Sequence, residues 1–122
     1  MANNYNFNLS NLPERTVQPR KNGVTMVMDK GISLRQAEDF LETSAPFVDF
    51  VKLGFGTSII SKNVKEKIKL YKNAGIKVYV GGTLFEAFVI RNKFDDYLKY
   101  IADLGLDCAE VSDGSIELDH EQ

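Results

Sequence analysis

A repeated pairing of a β-prone run with an amphipathic helical stretch limits the folds open to this chain more than any other feature. "VTMVM" (Val24 to Met28) is bounded by Gly23 and Asp29 and is followed by "SLRQAEDFLETSA". There Ser33 and Gln36 have capping-box spacing, and Leu34, Ala37, Leu41 and Ala45 recur on one helical face up to Pro46. "FVDFVKL" (Phe47 to Leu53) predicts a second strand running into "GFGTS". Asn63 and Glu66 are placed to cap a second helix with Val64, Ile68 and Tyr71 on its apolar face, and Gly75 suits its left-handed end. "IKVYV" is the third strand, with "GGTLFE" as its loop. A third helix carries Phe94, Tyr97, Leu98, Ile101 and Leu104 on one side and stops at Gly105, and "DCAEVS" is a fourth strand. Strand starts recur at about 24 to 31 residues, the length of one βα unit. Alternation of this kind implies parallel strands joined by right-handed crossovers, an α/β fold.

The 122 residues bound the chain to one domain, which divides into a polar, Asn-rich arm (1–22) and a βα region (23–122). A net charge of −2 offers no broad basic field, so nucleic acid is not an expected partner. No apolar run approaches the roughly 20 residues of a membrane span, and the arm has no signal-like apolar stretch, so a cytoplasmic protein is expected. One cysteine, Cys108, excludes an internal disulfide and a cysteine cluster for zinc, and is read as packing. His120, in the closing polar stretch, is assigned no role.

In parallel α/β folds, ligands sit at the carboxyl ends of the strands. Here those ends carry Asp29, Lys30 and Gly31; Lys52, Gly54, Gly56, Thr57 and Ser58; Gly81, Gly82, Thr83 and Glu86; and Glu110, Ser112, Asp113, Gly114 and Ser115. The opposite turns, "TSAPF", "KNAGI" and "DLGLD", hold capping residues and little chemistry. Singly each feature has a plain explanation. Glycines serve turns, Asp113–Gly114 is a common turn pair, Lys52 is a strand-end lysine, and "KNVKEKIKLYK" is a solvated helix face. Together the loops form a coherent set. Asp29, Glu86, Glu110 and Asp113 are oxygen ligands of the kind Mg²⁺ takes, Lys30 and Lys52 neutralise phosphate or carboxylate, and Thr57, Ser58 and Ser115 donate to phosphate oxygens. The residues alone point to an anionic, metal-assisted substrate.

The strings "MVMDKG", "DFVKLGFGTS", "GIKVYVGGTLFEAF" and "AEVSDGS", in this order, resemble the phosphosulfolactate synthase family from about Val24 to Ser115. The resemblance implies the N-terminal half of a (β/α)₈ TIM barrel, with about three βα units plus a fourth strand. It further implies Mg²⁺-dependent addition of sulfite to phosphoenolpyruvate, giving (2R)-phospho-3-sulfolactate, a step of the coenzyme M biosynthesis type. Carried over by residue, Lys52, Glu86 and Glu110 are the catalytic candidates. Lys30, Gly56, Thr57, Ser58, Gly82, Thr83, Ser112 and Ser115 are the substrate-binding candidates, and Asp29, Glu86, Glu110 and Asp113 the metal candidates. A complete barrel of this kind takes about 250 residues, so self-association or a C-terminal half-barrel is an expected partner beside phosphoenolpyruvate and sulfite. The alternative is a non-catalytic, stress-associated scaffold or interaction protein of the same fold. An open flavodoxin-like sheet shares the local pattern but does not account for these strings.

Overall fold

A computed structural model describes residues 5–119. Strands β1 (Met26–Asp29), β2 (Phe50–Leu53), β3 (Lys77–Gly81) and β4 (Cys108–Glu110) form one sheet in the order β1-β2-β3-β4, every pair parallel. Helices α1 (Leu34–Ser44), α2 (Val64–Asn73) and α4 (Phe94–Leu104) are the three expected crossovers. A further short helix, α3 (Thr83–Val89), occupies part of the stretch expected to be a loop after β3. Its apolar residues Leu84, Phe85, Phe88 and Val89 pack on the core at helical spacing, a signal that lay inside the loop motif. The chain has the α/β architecture of the N-terminal half of a (β/α)₈ barrel: three βα units and a fourth strand.

Strand alternation divides the sheet into two unlike faces. Val51, Leu53, Val78 and Val80 are buried beneath the helices, with Ala37, Ile68, Tyr71, Leu84, Tyr97 and Leu104 packed among them. Met28, Phe50, Lys52, Tyr79, Cys108 and Glu110 alternate onto the other face and are only half-buried. Phe50 and Tyr79 meet edge to face there, 6.2 Å between ring centres, above a shallow depression that also includes Cys108, Ala109 and Glu110. In a closed barrel this face is the interior.

Local chemistry explains the element ends. The Ser33–Gln36 capping box forms, with Ser33 Oγ accepting from the Gln36 amide at 3.1 Å and Gln36 Oε1 accepting from the Ser33 amide at 3.0 Å. Gly75 (φ 80°) and Gly105 (φ 69°) take the left-handed conformation after α2 and α4. Asn63 does not cap α2 through its side chain, because it is itself left-handed (φ 59°). The second strand begins at Phe50 and not Phe47, since Pro46 starts a 3₁₀ turn over Ala45–Phe47 that Val48 closes. On the helix after α3, Tyr97 and Leu104 are buried, whereas Leu98 and Phe94 are 50% and 46% exposed. Phe94 instead lies edge-on against Phe85 at 6.1 Å.

The polar arm is tied beneath the amino ends of the strands. Arg20 pairs with buried Asp49 at 3.0 Å and donates to the Pro46 carbonyl, while Gln18 donates to the carbonyls of Ala45 and Val48. Asp49 also accepts from the Thr25 amide at 2.8 Å, joining the approach to β1 to that of β2. No helix among the described residues is long and apolar enough to cross a membrane. His120 lies outside the described residues.

Because the Ser33 cap closes the first turn of α1 at an exposed position, Ser33→Ala is expected to cost about 1 kcal/mol. Urea denaturation should show a lower midpoint with an unchanged slope.

Candidate functional site

The carboxyl ends of the four strands bring the expected residues to one end of the sheet, and side-chain parity then separates them. Lys52 and Glu110 lie on the open face. Their strands are not neighbours, since β3 runs between them. They nevertheless form an ion pair, Lys52 Nζ to Glu110 Oε1 at 2.9 Å. The pair is possible because β3 ends at Gly81 and is followed by Gly82. A Cβ at Gly81 would lie 2.3 Å from the Glu110 carbonyl oxygen, and one at Gly82 would lie 2.7 Å from Glu110 Oε1 and 3.2 Å from Lys52 Nζ. Both glycines have positive φ, 145° and 62°, so the position favours glycine twice over. The Lys52 side chain is 13% exposed and that of Glu110 38%, so the ion pair faces outward from a protein wall.

Asp29 points the other way. It shares the parity of Val27 and lies on the helix side of the sheet, 3% exposed. Its Oδ1 accepts from the amides of Gly31 and Ile32 at 2.8 and 3.0 Å. Oδ2 accepts from Tyr71 Oη at 2.8 Å and pairs with Lys67 Nζ at 3.0 Å. A carboxylate offers about four acceptor positions, and here four donors occupy them. Burial opposes ionisation of this group, but Lys67, the two amides and Tyr71 outweigh it and hold the carboxyl below its usual range. The expectation that Asp29 ligates metal does not match this arrangement. Lys67, expected on a solvated helix face, is 2% exposed and also donates to the Ile32 carbonyl at 2.7 Å. The sequence held the signal: Lys67 stands three residues after Val64 and four before Tyr71, on the apolar face.

Glu86, on α3, binds the segment after β4. It accepts from Ser112 Oγ and, at 2.7 Å, from the Ser115 amide. The Ser112 hydroxyl first, then the Ser115 and Ile116 amides, hold its carboxyl below the ordinary range. Ser112 and Ser115 therefore meet Glu86, and Asp113 between them is exposed. Elsewhere the expected residues divide. Thr57 closes its own turn by donating to the Gly54 carbonyl at 2.8 Å, and Ser58 is buried beneath Tyr100, whose hydroxyl lies 2.9 Å from Ser58 Oγ. Gly56 is left-handed (φ 75°), as is exposed Phe55 before it (φ 56°). Lys30 is exposed, with Nζ 5.6 Å from the centre of the Phe55 ring. Thr83 is exposed at the start of α3.

These carboxylates do not fit the Mg²⁺ expectation as a set. Among the described residues no three His, Cys, Asp or Glu side chains converge on a cation position. Asp29 and Glu86 are engaged by protein donors, and Glu110 is engaged by Lys52.

A parallel sheet with its ionic residues gathered at the strand carboxyl ends, and with one face left open, defines a partial barrel of the α/β class. Comparison with known proteins makes the assignment specific. The profile of (2R)-phospho-3-sulfolactate synthase (ComA) matches residues 13–122, and the chain belongs to that family. It is 40% identical over 112 residues to the phosphosulfolactate synthase of Methanothermobacter thermautotrophicus, covering 90% of this chain and 43% of that protein. It is 47% identical over 102 residues to that of Methanocaldococcus jannaschii, covering 82% of this chain and 41% of the relative. The Bacillus subtilis phosphosulfolactate synthase is 34% identical over 111 residues, 91% of this chain and 44% of its own length. The chain thus spans less than half the length of the curated relatives it matches.

The lowered carboxyl of Glu86 has a pH signature. A folded-state value below the unfolded one, about 4.5, stabilises the fold above that pH and is lost as pH falls through the folded value. Glu86→Gln is therefore expected to lower the urea midpoint at pH 7, with the gap to wild type narrowing below about pH 4.

Proposed function

We propose that this chain supplies the phosphoenolpyruvate-binding half of a phosphosulfolactate synthase, the enzyme that adds sulfite to phosphoenolpyruvate to give (2R)-phospho-3-sulfolactate. The observation that carries the reading is the Lys52–Glu110 ion pair, set at the strand carboxyl ends over the gap left by Gly81 and Gly82. Membership of the family adds the reaction. As the C–S bond forms at the methylene carbon, the π electrons of phosphoenolpyruvate move toward its carboxylate. The neighbouring carbon then takes a proton.

In this reading Lys52 meets the substrate carboxylate, where negative charge grows, and stabilises the addition more than the bound substrate. Glu110 holds the Lys52 ammonium in place across β3. Lys30, exposed on the β1 loop, adds a second cation at the rim for the phosphate. Glu86 orders the segment carrying Ser112 and Ser115. No proton donor is assigned among these residues. Mg²⁺ belongs to the proposal as a requirement the family resemblance implies. The described carboxylates do not form its coordination shell, and no step is assigned to it. The product would follow from this half together with the remainder of the relatives' length, supplied by a further half-barrel or a second copy.

The occupation of Asp29 and Glu86 by internal donors favours a second reading, a scaffold of the same fold without turnover. One assay separates the two. Sulfite-dependent loss of phosphoenolpyruvate, with the new phosphosulfolactate followed by ³¹P NMR, is expected when the chain is combined with the part of the relatives' length it does not span. Lys52→Ala is expected to reduce that turnover by about 100-fold or more. Undiminished turnover in the variant would remove Lys52 from the site, and no turnover in any combination would support the scaffold.

A further inference from the structure

We propose that Lys67 and Tyr71 are positioning residues, which act through Asp29 to fix the β1 loop and so place Lys30 at the anion-binding rim. The inference rests on the reading above, that these loops receive phosphoenolpyruvate.

The geometry is unusually complete. Lys67 and Tyr71 are four residues apart on α2 and present both polar tips to the same carboxylate oxygen, Asp29 Oδ2, at 3.0 and 2.8 Å. The other oxygen, Oδ1, takes the amides of Gly31 and Ile32. Lys67 also takes the carbonyl of Ile32, at 2.7 Å. The amides of Gly31 and Ile32 and the carbonyl of Ile32 are therefore held by two side chains, Asp29 and Lys67, that never reach the open face. Lys30 is the residue between the anchored Asp29 side chain and the anchored Gly31 amide.

The loop so held lies directly against the loop after β2. A Cβ at Gly31 would stand 3.5 Å from Thr57 Cβ and 3.6 Å from Ser61 Oγ, and Lys30 Nζ lies over the Phe55 ring. The position of Lys30 is thus set from below by the buried cluster and from the side by the β2 loop. A buried ion pair is on average no better for stability than well-packed apolar groups of the same volume. What this one supplies is direction: three backbone groups of a glycine-containing loop held in one arrangement.

Tyr71→Phe keeps the ring and removes one of the four donors to Asp29, so it tests the idea in the chain as it stands. Amide hydrogen exchange needs no ligand, and at Gly31 and Ile32 it should quicken roughly 10-fold while the strand amides are unchanged. Phosphoenolpyruvate, titrated well below the unfolding midpoint and followed by calorimetry, should bind roughly 10-fold more weakly to the variant. The double-mutant cycle with Lys30→Ala distinguishes positioning from general loosening. If Tyr71 acts through Lys30, Tyr71→Phe adds no further loss once Lys30 is alanine. Fully additive losses, or an unchanged affinity in Tyr71→Phe, would overturn the inference and leave the functional reading standing. A wild-type chain that does not bind phosphoenolpyruvate would overturn that reading, and this inference with it.

Discussion

Two charged side chains on strands that are not neighbours can meet only if the strand between them has nothing in the way. That constraint organises the polar end of this molecule. Gly82, just past β3, leaves room where Lys52 and Glu110 meet, Gly81 at the end of β3 leaves room for the Glu110 backbone, and each glycine also holds a backbone conformation that other residues adopt with strain. With the gap in place, the ion pair sits on the open face at the strand carboxyl ends. Without it, the β2 lysine and the β4 glutamate would be separated by a wall. The turn into α3 begins at the same two residues, so Glu86 and its hold on Ser112 and Ser115 depend on them as well.

The polar groups form three separate arrangements, divided by the pleat. Lys52 and Glu110 alternate onto the open face. Asp29 alternates onto the helix side and is absorbed by α2. Glu86 belongs to no strand and faces the segment that follows β4. Four carboxylates that look equivalent along the chain thus have different neighbours and different work. Two order loops, one orients a lysine, and Asp113 is exposed at the rim.

Most of the fold was legible because its signals are local and periodic. Gly75 and Gly105 mark left-handed helix ends, Ser33 and Gln36 cap α1, and the apolar face of α2 follows its spacing, whereas of the face expected on α1 only Ala37 and Leu41 join the core, with Phe40 beside them. The strand boundaries were less legible, since Pro46 and the 3₁₀ turn over Ala45–Phe47 take up the first part of the β-prone run and leave β2 to begin at Phe50. The helix α3 was hidden by its own loop motif. For the site, the cluster of loops was readable but the roles were not. Parity along β1 placed Asp29 with Val27, opposite Met28, but it is the register with β2, Met28 beside Lys52 and Asp29 beside Leu53, that separates Asp29 from Lys52. The burial of Lys67 was masked by the density of lysines around it. Ser58 is taken by Tyr100, 42 residues away, a partner that no local pattern announces.

The order of the sheet has a further meaning in time. Among the described residues each strand except the last pairs with the one that follows it in the chain, and no strand is inserted between two already formed. Every new βα unit therefore docks on the edge left by its predecessor. The longest interval between paired strands is a single crossover, which keeps the cost of loop closure low for a parallel sheet and suits sequential assembly. A chain built in this way can acquire its helix-covered core as it leaves the ribosome, unit by unit, before any partner for the open face has been made.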